Sequence, residues 1–273
     1  DDLEAFGDTL KDLATGKLLG DSNYYVEAVG AAGGSSVAVQ GSIAVMVFSD
    51  NLSAKVGANS TVNVGSGAVT LNAGGDFVAK SLSGALSVST SSVALGLSAT
   101  VVVSSGTTIA ELGDNAKVTS AGSFANTASA KQDIRSYAAA ASVASSSVGG
   151  SGVAGVVTSE NRVEALMGRG ARVTISGTGA VSLAATNTFK IFGLAAGVGV
   201  GSTAGIGAAA TVVVVNNITR AALGDGTSAA DRAEINTNGA VSITATATED
   251  GDLFSVAGGA GVNVGIGAGA GIY

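Results

Sequence analysis

Ala221-Ala222-Leu223-Gly224 completes a pattern, Ala-x-(Val/Leu/Met)-Gly, that occurs three times before it, as Ala54-Lys55-Val56-Gly57, Ala110-Glu111-Leu112-Gly113 and Ala165-Leu166-Met167-Gly168. The closing glycines stand 56, 55 and 56 residues apart (57 to 113, 113 to 168, 168 to 224). Self-similarity at a fixed period of this size marks a repeat array rather than a layered globular domain. The motif reads as punctuation: Ala54, Ala110, Ala165 and Ala221 turn inward, and Gly57, Gly113, Gly168 and Gly224 make the bend.

Outward from the motif, each repeat has two halves. One is long, built from Ala, Gly, Ser and Val and uncharged apart from Glu27, as in 26–48, 82–103, 137–157, 194–215 and 256–273. The other carries the charges and runs through the motif into a short alternating strand such as Val62-Asn63-Val64 or Val173-Thr174-Ile175. A second alternating strand follows a glycine turn, best seen in Gly67-Ala68-Val69-Thr70-Leu71-Asn72-Ala73 and Gly239-Ala240-Val241-Ser242-Ile243-Thr244-Ala245. Period-two alternation there puts Val, Leu or Ile on a buried face and Thr, Ser or Asn on a wet one. Extra residues around Thr227 to Arg232 enlarge the fourth copy, a change that a solenoid absorbs in a surface loop. Asn51, Asn161 and Asn217, just before the motif, are expected to hold turns or to stack as an internal amide ladder.

The fold expected is all-β: a parallel β-helix, or β-solenoid, over residues 21–273. A unit of about 56 residues divides on this reading into about three coils of some nineteen residues. Around thirteen coils at about 4.8 Å would then form a rod on the order of 60 Å long. Residues 1–20 differ, with Leu3, Phe6, Leu10 and Leu13 at helical spacing behind Asp1, Asp2 and Glu4, and read as a short amphipathic helix serving as cap or linker.

Composition narrows the chemistry. Hydrophobic content of 46% against 12% charge is the reverse of a disordered signature. With neither Cys nor His, thiolate and imidazole metal sites, His-dependent triads and cysteine nucleophiles cannot be built. The net charge of -7 repels phosphate backbones, so nucleic acid is not an expected partner. Acidic residues at Asp114, Asp225, Glu249, Asp250 and Asp252 invite a calcium reading, but Ala58 and Arg169 replace the first set in other copies and solvated loop charge accounts for them better. No cofactor and no metal are expected, and with four Tyr, seven Phe and no Trp scattered along the chain a glycan-cleaving cleft is disfavoured. The uncharged run 194–215 has the length of a membrane span, yet its Gly, Ala and Ser content disfavours insertion.

Two stretches, Val212-Val213-Val214-Val215-Asn216-Asn217-Ile218-Thr219-Arg220-Ala221-Ala222-Leu223-Gly224-Asp225 and Gly239-Ala240-Val241-Ser242-Ile243-Thr244-Ala245, resemble repeats of large secreted filamentous adhesins and leukotoxin-type exoproteins of Gram-negative bacteria. The likeness runs from about Val26 to Tyr273. Ser104-Ser105-Gly106 and Phe124-Ala125-Asn126 depart most from it. It implies export to the cell surface and a parallel β-helix stalk. The chain, which begins at Asp1 and stops at Tyr273 inside an apolar segment, reads as a fragment. The function expected is a non-enzymatic stalk or shaft segment of an extracellular adhesin, with a host or bacterial surface receptor as possible partner. Two other readings stand beside it: a subunit that self-associates end to end into a filament, and a membrane-active toxin segment.

Overall fold

The computed structural model describes residues 23–228 and 231–273. The helix expected over residues 1–20 lies outside the described residues. The rest is a β-solenoid in which every strand pairs in parallel.

Each of the first four repeats contributes a long strand, a tight turn, a second long strand, a glycine turn and a strand of three or four residues. The first coil is β1 (Tyr24–Gly34), β2 (Val37–Val56) and β3 (Thr61–Val64), and the second is β4 (Val69–Ser89), β5 (Val93–Leu112) and β6 (Lys117–Ser120). The third is β7 (Phe124–Ala144), β8 (Val148–Met167) and β9 (Arg172–Ile175), and the fourth is β10 (Val181–Gly201), β11 (Ala204–Leu223) and β12 (Glu234–Asn236). The last described strands are β13 (Val241–Ala260) and β14 (Val264–Ile272). They stack as three sheets: sheet A in the order β1-β4-β7-β10-β13, sheet B as β14-β11-β8-β5-β2 and sheet C as β12-β9-β6-β3.

One repeat is therefore one coil, not three. Val37 stands on Val93, Val93 on Val148, Val148 on Ala204 and Ala204 on Val264, each a full repeat further along the chain. The rod of about thirteen coils gives way to a stack of five layers, about 20 Å deep, whose 20-residue strands reach roughly 65 Å across. Division into short coils fails because Gly and Ser in the uncharged halves sit inside strands instead of between them. The run 194–215 is the end of β10, a two-residue turn at Ser202 and Thr203, and the start of β11.

The cross-section tapers, and the sequence tapers with it. At the wide end, sheets A, B and C enclose a core with Leu112, Val118, Phe124, Met167, Val173, Val181 and Leu183. Midway, A and B face each other across Met46, Phe77, Val102, Ile134, Val157, Phe189 and Val213. Beyond this the two sheets converge into a thin arm, where the core shrinks to Ala85, Ala138, Ala140, Val153, Ala195 and Ala209. Near the tip nothing larger than glycine fits at several positions: a Cβ on Gly149 would lie 2.0 Å from the Val200 carbonyl oxygen, and one on Gly199 2.1 Å from that of Ile206.

Some interior hydroxyls in the arm bond to one another across the gap, whereas those of Ser142 and Ser151 have no partner. Ser83 Oγ lies 3.0 Å from Ser42 Oγ and 2.6 Å from Ser98 Oγ, and Thr100 Oγ1 lies 2.6 Å from Ser136 Oγ. Such pairing offsets the cost of burying polar groups. It also keeps the spacing small, since a serine pair is far shorter than two leucines.

Widening the arm should therefore unfold it. Gly199→Val is expected to cost about 3 kcal/mol or more of unfolding free energy, read from denaturant midpoints, because the clash is with backbone. Gly33→Ala, whose Cβ would meet nothing within 4 Å, should stay within about 0.5 kcal/mol of the parent chain.

Candidate functional site

The motif residues lie where sheet B hands over to sheet C. Ala110 and Ala165 are buried in the wide core, Ala54 and Ala221 pack against it, and the four glycines follow the last residues of β2, β5, β8 and β11. They stack closely: a Cβ on Gly113 would lie 2.7 Å from the Ala58 nitrogen, and one on Gly224 2.6 Å from the Arg169 nitrogen. Two residues past the motif glycine the backbone turns left-handed, at Asn59 (φ 59), Asn115 (φ 57) and Gly170 (φ 65). Asn and Gly are the residues that tolerate this conformation. At the enlarged fourth copy, Thr227 and Ser228 donate hydroxyl hydrogen bonds to the Asp231 carboxylate, and the Asp231 carbonyl accepts from the Gly170 N–H at 2.7 Å.

The asparagines singled out in sequence sit inside strands, not at turns. Asn161 and Asn217 share one row of sheet B, with Gly106 and Asp50 as its other members, whereas Asn51 is exposed one residue further on. Counting back four residues from each motif alanine reaches Asp50, Gly106, Asn161 and Asn217, a signal available in the chain. From sheet A, Gln132, Asn187 and Glu249 approach the same row. Asn161 Nδ2 donates to Asn187 Oδ1 at 3.0 Å and Asn217 Nδ2 to Glu249 Oε1 at 2.6 Å, while the Tyr24 hydroxyl donates to Asp50 Oδ1 at 3.2 Å. A polar seam thus passes through the stack between the wide and middle apolar clusters. At Gly106 it opens into a small cavity lined by Tyr24, Asp50, Thr108, Gln132 and Asn161. Neither the seam's sheet A members nor the cavity was foreseen.

The outer surface divides by chemistry. Over the wide half, ion pairs bridge coils or neighbours, among them Lys55–Glu111 at 3.1 Å and Arg172–Glu234 at 3.4 Å. Arg162 Nε approaches Glu164 Oε2 at 2.8 Å, and that carboxylate is almost fully buried. On sheet A, Tyr137, Phe192 and Phe254 form a ladder with centroids 5.5 and 5.7 Å apart, beside Asp133, Arg135, Lys190, Asp250 and Asp252. Aromatic residues that are scattered in sequence are thus brought together by the coil period. Asp250 stands beside Lys190, so part of the acidic cluster considered for calcium has a cation next to it. Among the described residues, no group of three or more His, Cys, Asp or Glu is placed to hold a metal ion.

Over the thin arm the pattern inverts. Inward positions from Ala44, Thr100, Gly155 and Thr211 to the tip are Gly, Ala, Ser or Thr apart from Gln40 and Val153, and the large aliphatic residues point out. On sheet B, Val39, Ile43, Val45 and Val47 of the first coil are all more than half exposed, with Val47 at 72%, and Leu95 and Leu97 continue the face in the second coil. Segments 37–47, 93–103, 148–158, 204–214 and 264–272 contain no charged residue. Among the described residues no helix is long and apolar enough to cross a membrane.

Comparison of the chain with protein-family models, curated proteins and solved structures finds no match in any of the three. The candidate site therefore rests on the geometry alone: a charge-free arm with an apolar outer face, joined to a charged wide end by a polar seam.

Two measurements probe the seam and the buried carboxylate. All four tyrosines have their pKa raised above the ordinary value of about 10: Tyr24 by its hydrogen bond to Asp50, and Tyr25, Tyr137 and Tyr273 first by burial. A raised pKa in the folded chain gives stability that is complete below about pH 10 and is lost as pH rises through the folded values. Denaturant midpoints should fall above about pH 10, and Tyr24→Phe with Tyr25→Phe should flatten that fall. Arg162→Ala should cost about 2 kcal/mol, between the values for exposed and buried pairs, and adding Glu164→Gln should recover part of it.

Proposed function

We propose that the chain is a non-catalytic structural segment of an extracellular bacterial adhesin, a stretch of shaft at the surface of a Gram-negative cell. The observation that supports this reading is the unbroken register. All five coils stack strand on strand in sheets A and B, so parallel ladders of hydrogen bonds run along the stacking axis from β1 to β13 and from β2 to β14. Stacked repeats transmit load through neighbour contacts and tolerate additions of whole coils. The resemblance of the motif and its following strand to repeats of secreted exoproteins gives the reading its location and biological setting.

A second reading draws on the ends of the described stack. Sheet A has β13 as its outermost strand and sheet B has β14, each paired on one side only, with apolar residues such as Phe254 and Ile266 about half exposed. Unpaired edges of this kind recruit further strands, and a subunit using them would grow end to end.

Duplicating residues 113–167, one coil from bend to bend, tests the shaft directly. The lengthened chain should fold with an undiminished thermal midpoint, resist trypsin as the parent does, and show no saturable binding of its own to epithelial or bacterial cells. Cleavage inside the added coil, or tight cell binding by the isolated chain, would overturn the shaft reading. Filaments that lengthen along the stacking axis with concentration would favour the second. Leakage of dye from liposomes would instead support the membrane-active one.

A further inference from the structure

We propose that the outer face of sheet B is a docking surface for a second copy of this chain, and that two chains pair face to face about a two-fold axis through it. The face spans five strands and about eleven residues along each, roughly 800 Å² from the strand spacing and rise. The largest apolar patch on an ordinary monomer is about 300–600 Å². A standard protein–protein interface buries about 800 Å² per partner, so this one face has the area a stable dimer needs. No described residue covers it.

Three features select the occupant. The face is flat, because Leu95 and Leu97 lie down over the glycines of the next coil: a Cβ on Gly150 would meet the Leu95 side chain at 2.9 Å, and one on Gly152 the Leu97 side chain at 3.1 Å. A flat apolar sheet fits another flat sheet packed about 10 Å away, not a helix or a lone strand. Further, no charge stands on the face, so two identical faces meet without opposing like charges despite the net charge of -7 carried elsewhere. A bilayer is the poorer match. Among the described residues edge strand β2 pairs on one side only, and lipid leaves unpaired backbone groups unsatisfied.

The face also has relief that suits its own copy. A shallow groove crosses the strands at Gly41, Ala99, Ala154 and Ala208, with Leu97 and Ile43 in its walls, and Ile43 stands 67% exposed. In the two-fold pair, Ile43 of each chain seats in the groove of the other. The axis passes close to Ala154, in the middle strand of the sheet. Pairing of this kind is closed and isologous, so it stops at two. It does not require the shaft role, and a shaft built this way would be two solenoids side by side.

Sedimentation equilibrium of the full 273-residue chain should give twice its 25.8 kDa mass. Val45→Glu should raise the dimer dissociation constant at least about 100-fold, since it buries an unpaired charge in an apolar contact. Val256→Glu, a matched change on the outer face of sheet A, should leave it within about twofold, with circular dichroism confirming that both variants fold. Because the chain has no cysteine, Ala154→Cys should be joined into a covalent dimer by a bis-maleimide spanning about 10 Å, the separation of packed sheets, and provides a readout independent of the charge variants. A chain that stays monomeric at about 1 mM, association that grows without limit, or dimerisation lost with Val256→Glu but kept with Val45→Glu would each overturn the proposal. Flotation with phosphatidylcholine–phosphatidylglycerol vesicles that Val45→Glu abolishes, in a chain otherwise monomeric, would assign the face to lipid instead.

Discussion

The structure depends on how closely two backbones approach in the thin arm. Where Gly149 faces the Val200 carbonyl and Gly199 the Ile206 carbonyl, the space between sheets A and B is too small for any side chain. At the same depth in neighbouring coils it accepts alanine, at Ala38 and Ala94, and deeper it takes serine pairs that bond across the gap. Burial of large aliphatic groups, the usual source of sheet stability, is unavailable there. The arm is held by its parallel ladders and by close packing of small groups, each contact weak and the sum large. The wide end supplies the ordinary hydrophobic core, with Phe124, Leu112, Met167 and Leu183 all buried. Excluded from the inside, the Val, Leu and Ile of the arm have only the outer faces left to occupy.

Between these two regimes lies the polar seam, and its position explains how register is kept. Coils made largely of Val, Ala and Gly offer little to distinguish a correct stacking from one slipped by two residues, because both keep the same face inward. The amides of Asn161 and Asn187, and the Asn217–Glu249 and Tyr24–Asp50 pairs, find partners in the observed register. Of these only the Asn161–Asn187 bond is buried, and Asn161 Oδ1 and Asn187 Nδ2 have no partner even here; a slip would break that bond as well, and a buried polar group left unpaired costs more than the bond contributes. The positive-φ turns at Asn59, Asn115 and Gly170 pin the coil at a second point. Seam and turns lie on opposite sides of the motif alanine, so register is set from both.

Much of the all-β solenoid was legible in the sequence, because motif and alternating strand recur at a constant period and parallel stacking makes that period visible. The number of coils per repeat was not. Glycine within a strand usually marks a bend or bulge, and in 194–215 it instead marks close approach of a second sheet, which no local rule reveals. The seam was half legible: Asn161 and Asn217 lie on it, but Asn51 draws the eye away from Asp50 because residue type is easier to follow than spacing from the motif. The apolar face was hidden for a related reason. In Val93-Ala94-Leu95-Gly96-Leu97-Ser98, alternation says which residues share a face, but the inside is ordinarily assigned to the larger ones. Here the narrow gap reverses that assignment.

Coil length then bears on what such an array is for. A solenoid gains about 4.8 Å of axis per coil whatever the coil's length, so axial length alone does not account for long coils. This one uses about 56 residues for each step, and the added residues go into two 20-residue strands whose outer faces widen the sides of the stack. What a long coil gains is lateral area. It places that area on a charge-free arm and keeps the charges at the wide end, where they bridge one coil to the next. In an array with this geometry, the sides of the arm are where contact with other molecules is to be sought.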